Sequence, residues 1–148
     1  IRDRVLKNAT LNLPEGKMTF DAVLMDKRGV YLVRTYGWGI KIYGTPDGAM
    51  WRREDAKRKE EFENPLQELK KGAMEITKVM EENGVQNLKV MPMVVFADNF
   101  QTPELYLGYG SFSTTYQELK NWYKKQSGVK EVQYDYDKVS SIMKELAK

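Results

Sequence analysis

The stretch Met18-Thr19-Phe20-Asp21-Ala22-Val23-Leu24-Met25-Asp26-Lys27-Arg28-Gly29-Val30-Tyr31-Leu32-Val33-Arg34-Thr35-Tyr36 decides the fold. Met18 to Met25 alternates with period two, which assigns Phe20, Ala22 and Leu24 to one face of a strand and Asp21, Val23 and Met25 to the other. Asp26-Lys27-Arg28-Gly29 reads as a hairpin turn, with glycine available for positive φ. Val30 to Tyr36 returns as a strand rich in β-branched and aromatic residues. On the upstream side, Thr10 to Gly16 is a strand end running into a turn at Leu13-Pro14-Glu15-Gly16. On the downstream side, Trp38 to Tyr43 is a third strand of the same meander, and Thr45-Pro46-Asp47-Gly48 turns the chain toward Met50 and Trp51.

The mixture of both charge signs between Arg52 and Glu61 is expected to be a solvated loop or exposed helical turn, because acids and bases there nearly cancel. A helix follows, with Asn64 as N-cap, Pro65 at the first helical position and Gln67 as capping-box partner. Leu66, Leu69, Ala73, Ile76 and Met80 form its buried stripe, and Asn83-Gly84 stops it. Leu88 to Ala97 is nearly continuous apolar sequence, the pattern of a central strand covered on both faces in spite of Pro92. Glu104 to Tyr109 is a candidate strand. A helix starts near Thr114 or Thr115 with Glu118 as box partner, carries Leu119, Trp122 and Tyr123, and stops at Gly128. Lys130 to Tyr134 is extended, and Asp135 caps a last helix through Val139, Ile142, Met143 and Leu146. This order predicts an α/β (α+β) fold, a mixed central sheet with an N-terminal antiparallel meander, flanked by helices.

With 148 residues, one domain is the expectation. No stretch approaches the roughly 20 apolar residues that cross a bilayer, and Ile1 to Asn8 lacks the apolar centre of a signal peptide, so no membrane contact and a cytoplasmic setting are expected of this chain. Because it begins at Ile1 rather than Met, an upstream anchor or domain is left open. The absence of cysteine and histidine removes disulfides, thiolate zinc sites, cysteine nucleophiles and histidine-based triads. Any metal would be a hard cation on carboxylates. Lysine and arginine exceed the acids by 24 to 21, too little to predict nucleic-acid binding from bulk charge.

Phe20-Asp21-Ala22-Val23-Leu24, Gly29-Val30-Tyr31-Leu32-Val33, the glycines Gly37 and Gly39, Trp51, the Asn64-Pro65-Leu66-Gln67 helix start and Met93-Val94-Val95-Phe96 occur in an order and spacing that resembles a NERD (nuclease-related) domain. The resemblance is strongest over residues 6–97, with 98–148 completing or extending the domain. It implies a restriction-endonuclease-like fold of the PD-(D/E)xK class. In that chemistry an aspartate and a glutamate on adjacent strands hold Mg²⁺, and a lysine two residues after the glutamate supports attack by water. Here Asp21 stands at the aspartate position, but Arg34 occupies the glutamate position and Tyr36 the lysine position.

Two carboxylates facing across a hairpin need a cation between them, whereas an arginine opposite an aspartate needs none. A hairpin with the register that the resemblance implies sets Asp21 across from Arg34, which predicts an Asp21–Arg34 ion pair in place of a metal site, with no cofactor. Tyr36, Trp38 and Trp51 are expected as packed aromatics, base stacking being the alternative for the tryptophans. Gln67 is explained equally by capping and by the place a glutamine takes near the active site in related nuclease families. Lys41 is a candidate migrated base, and Glu68 a candidate second carboxylate that solvent exposure beside Lys71 explains better.

Three functions follow as expectations. The first is a domain that has kept the fold, lost metal-dependent hydrolysis and become a binding or scaffold module for DNA or other protein domains, with Arg28, Arg34 and Lys41 as candidate DNA contacts. The second is a working Mg²⁺- or Mn²⁺-dependent nuclease using Asp21, Glu68 and Lys41. The third is a structural or regulatory protein-interaction module whose specificity lies in the aromatic segment Tyr106 to Tyr136.

Overall fold

In the computed structural model, which describes residues 5–26, 28–126 and 134–148, the hairpin is the centre of a five-stranded mixed sheet. Its strands run β1 (Val5–Leu13), β2 (Gly16–Asp26), β3 (Gly29–Tyr36), β7 (Val90–Phe96) and β9 (Ser113–Thr115), in that spatial order. The first three are antiparallel neighbours, and β7 and β9 add in parallel. A second, four-stranded sheet is ordered β6 (Lys59–Glu63), β5 (Met50–Glu54), β4 (Lys41–Tyr43), β8 (Glu104–Tyr106). Three helices complete the chain: α1 (Leu66–Glu82), α2 (Tyr116–Gln126) and α3 (Tyr136–Leu146). The mixed α+β class expected from the sequence is what the chain adopts.

The antiparallel meander is β1-β2-β3, not a run that continues into Trp38–Tyr43. Gly39, at φ +122°, breaks the ladder, and a Cβ there would meet Ile42 Cδ1 at 3.0 Å and Arg53 Cβ at 3.3 Å. The chain leaves the large sheet here and starts the small one. The Arg52–Glu61 stretch, expected as a loop, is instead most of the β5–β6 hairpin. Its mixed charges face each other across the ladder, Arg52 opposite Glu61, Arg53 opposite Glu60 and Glu54 opposite Lys59, with Arg53 Nη2 2.9 Å from Glu60 Oε1. Opposite charges on paired positions support a sheet, so the cancellation of charge is a pairing signal. Asp55 closes the turn by accepting from the Lys57 and Arg58 amides, which holds its carboxyl below the usual range, with the Arg58 side chain adding to the effect.

Two other boundaries move. Glu104–Tyr109 shortens to Glu104–Tyr106, a strand parallel to β4 in the small sheet. β7 is an interior strand one place off the centre, and Pro92 is tolerated because β9 pairs only with Val94 to Phe96 and leaves the Pro92 edge free of a ladder. The helix stop at Gly128 and the start of the Lys130–Tyr134 segment fall on residues 127–133, outside the described residues.

α1 follows its sequence signals. Leu66, Leu69, Ala73, Ile76 and Met80 are all buried, and the Val85 amide bonds the Met80 carbonyl across a left-handed Gly84, a Schellman stop. At its start Asn64 Oδ1 accepts from the Leu66 amide rather than forming a reciprocal box with the exposed Gln67, and the Pro65 carbonyl takes the first helical bond, from Leu69. The Asn64 amide group donates to Pro46 O at 2.9 Å and Gly48 O at 2.8 Å, tying the helix to the β4–β5 turn. Asn64→Ala removes the acceptor of the Leu66 amide and strands two carbonyls, so it is expected to cost about 2 kcal/mol, measured by urea unfolding. α2 and α3 begin as expected, with the Glu118 amide bonding Thr115 Oγ1 and the Lys138 amide bonding Asp135 Oδ1.

The large sheet separates two cores of unequal thickness. On one face α1, α3 and the small sheet cover Phe20, Val23, Met25, Leu32, Val94 and Phe96. On the other, among the described residues, α2 packs its Leu119, Trp122 and Tyr123 near Leu24, Tyr31, Val33 and Val95. Phe20 therefore lies with Val23 and Met25, while Ala22 and Leu24 face the thinner core, a departure from simple alternation. Ala9 and Leu6 on β1 share a core although an odd number of positions separates them. Both strands change face together between the pairs Lys7–Ala22 and Ala9–Phe20, where Asn8, at φ 48°, lies across from Asp21.

Candidate functional site at the Asp21 hairpin

Register places the site. The β2–β3 ladder runs from Asp26–Gly29 to Ala22–Val33, and its next step sets Asp21 across from Arg34, where the ladder stops. Asp21 uses its carboxylate to finish it: Oδ2 accepts from the Thr35 amide at 2.7 Å and from Thr35 Oγ1 at 3.2 Å. The Arg34 guanidinium lies over this end of the hairpin. Its Nη2 donates to the Thr19 carbonyl at 3.1 Å and stands 3.6 Å from Glu68 Oε1, and its Nε is 4.0 Å from Asp21 Oδ2.

The distances rank these interactions. A charge-assisted bond of 2.7 Å to a backbone amide outweighs a 4.0 Å ion pair between groups 40% and 25% exposed. Asp21 is held first by the backbone and second by Arg34. Arg34 is held by one hydrogen bond and two acids on different elements, so it bridges β2 and the first turn of α1. Pairs this exposed contribute at most about 1 kcal/mol each.

The acids here do not fit a divalent cation. Mg²⁺ needs oxygens at about 2.1 Å in octahedral array. Asp21 Oδ2 is already taken by two donors, and the space between Asp21 and Glu68 carries a guanidinium. Among the described residues no group of three or more acids gathers as a metal-holding set.

Tyr36, at the lysine position, packs into the interior, stacked on Phe96 at 5.2 Å and tilted against Phe62 at 4.7 Å. Burial raises its pKa above the ordinary phenol value, so it stays protonated at neutral pH, and a phenol in either form carries no positive charge. Gln67 is exposed on the first turn of α1, and the neighbouring Glu68 is the residue that reaches Arg34. Lys41 stands in the small sheet, across from Glu54 and in register with Glu104, apart from the Asp21 cluster. Arg28 is at the turn, and its amide donates to Asp26 Oδ1. Arg34 lies six positions further along, about 20 Å of strand, so Arg28, Arg34 and Lys41 do not converge. Trp51 is a core residue, 1% exposed, whereas the half-buried Trp38 ring lies under two guanidinium groups, Arg53 at 4.2 Å and Arg58 at 3.9 Å.

Glu68, the candidate second carboxylate, is exposed as expected, and the docking of α1 brings it to Arg34. Two contributors escape the sequence reading. Thr19 acts through its carbonyl, which no side chain advertises. Thr35 had one signal, a hydroxyl between Arg34 and Tyr36 at the end of an apolar strand.

Residues 2–97, from the N-terminal edge of the sheet through β7, match the family described as the nuclease-related domain, NERD. The chain belongs to the NERD family. No curated protein and no solved structure matches it. The mixed sheets and helices of this NERD domain agree with the restriction-endonuclease-like class. The matched residues hold all of the Asp21 cluster, while β8, β9, α2 and α3 lie beyond them. No described helix is long and apolar enough to cross a membrane.

Proposed function

We propose that this NERD domain has kept the nuclease-related fold without metal-dependent phosphodiester hydrolysis and serves as a binding or scaffold module. The observation that carries the reading is Arg34 between Asp21 and Glu68. A guanidinium supplies the positive charge that two nearby acids require, and its Nη2 donates to the Thr19 carbonyl at 3.1 Å. Tyr36 adds a packed ring where hydrolysis would call for a lysine. The cluster carries one cation against two acids, which disfavours a phosphate backbone, so a protein partner suits the module better than DNA.

The test is plasmid incubation with Mg²⁺ or Mn²⁺, with Asp21→Ala as control. Nicking is expected at background rate in both proteins; nicking that Asp21→Ala abolishes would overturn the proposal in favour of an active nuclease. Binding of labelled DNA across a salt series separates the partner classes. Steep loss of binding between about 50 and 200 mM salt would assign the module to DNA.

A further inference from the structure

The thinly covered face of the large sheet offers a surface that the Asp21 site does not use. Neighbouring strands lie about 4.8 Å apart, so β1 to β3 spans about 10 Å, the width of one helix. α2 packs over β7 and β9, reaching β3 through the edge contact of Trp122 on Tyr31 at 5.2 Å. Beside α2, toward β1, runs a groove of about 420 Å³ floored by Val5, Ala22, Leu24, Val33 and Val95. No buried residue of this core reaches zero exposure, the least exposed being Val95 at 4%, while many on the opposite face do.

Charge sorts itself across α2. Lys120 and Lys124, one helical turn apart, line the groove together with Tyr116 and Tyr123, whereas Glu118 lines the cleft on the other flank of the helix. An apolar floor one helix wide with a cationic wall along one side has a definite complement. We infer that this groove docks an amphipathic helix of a partner protein, apolar along one stripe and acidic along the flank facing α2. The inference does not depend on the chemistry at Asp21, since a nuclease result there leaves it standing.

The probe is a pair of fluorescein-labelled amphipathic peptides of about 18 residues, identical in apolar stripe and carrying glutamate or lysine on the flank. Binding is read by anisotropy. The acidic peptide is expected to bind about five- to tenfold more tightly at about 50 mM salt, the preference fading at about 500 mM. Lys120→Glu with Lys124→Glu, both exposed positions, should invert the preference. Ala22→Phe, which fills the floor, should weaken both peptides at least tenfold, with circular dichroism checking that each variant is folded.

Equal binding of the two peptides, indifference to Ala22→Phe, or no binding at all would overturn the inference. So would displacement of a bound peptide by a fatty acid such as laurate, which would make the groove a lipid site. Dimerisation of the free chain abolished by Ala22→Phe would assign the face to a second copy instead.

Discussion

A chain carrying Arg34→Glu is expected to unfold about 10 °C earlier than the parent in EDTA and to recover much of that loss in Mn²⁺. The substitution removes the donor to Thr19 O and the bridge to Glu68, and sets a third carboxylate beside Asp21 and Glu68. A lost charged hydrogen bond with uncompensated like charges costs about 3 kcal/mol, and in a chain of this length each kcal/mol moves the midpoint by about 2–4 °C. Two acids at the end of the hairpin and one on the first turn of α1 are then a hard-cation site, so metal binding to the folded state alone raises stability by mass action. The parent, with Arg34 in place, should show no such response. Differential scanning fluorimetry with and without Mn²⁺ reads both halves. A parent midpoint that rises with Mn²⁺ as the variant's does would show that Arg34 does not occupy the cation's place.

The second large effect lies at Trp51. Its indole is 1% exposed, donates from Nε1 to the Thr45 carbonyl at 2.7 Å, and meets Phe62 and Phe96 edge-on or tilted at 6.2 and 6.5 Å. It also lies directly under Gly44, where any Cβ would come within 2.3 Å of Trp51 Cδ1. One ring thus joins the small sheet to the large one. Trp51→Ala leaves a cavity the surrounding rings cannot close and is expected to cost about 3–5 kcal/mol, measured by urea unfolding. A loss below about 2 kcal/mol would mean that the small sheet is anchored elsewhere. Tyr36 shares the cluster through Phe62 and Phe96, so the variant should also alter its surroundings, visible in near-ultraviolet circular dichroism.

What the sequence revealed, and what it withheld, follows from which interactions are local. The stripe and the Schellman stop of α1 were readable because each lies within a few residues, whereas the expected Asn64–Gln67 box gives way to tertiary bonds from Asn64 to the Pro46 and Gly48 carbonyls. The facing of Asp21 and Arg34 was readable because one short turn sets the register. The reach of the exposed Glu68 to Arg34 was not readable, because it depends on how α1 is rotated against the sheet, a property of the assembled core. Lys41 was grouped with the hairpin because nothing before Gly39 signals that the chain changes sheets. The β5–β6 hairpin was hidden by its own composition. Charges that pair across strands look, in linear order, like a solvated run, and Trp51 and Phe62 were too sparse to mark the alternation.

The seam at Asn8 and Asp21, where two strands exchange faces in step, has a further consequence. A side chain at such a crossing is owed to neither interior, so its charge and that of its neighbour can be exchanged while each hydrophobic layer keeps its volume. Charge placed there is detachable: it can be removed, or reversed by one substitution at Arg34, without asking the rest of the chain to find a new packing.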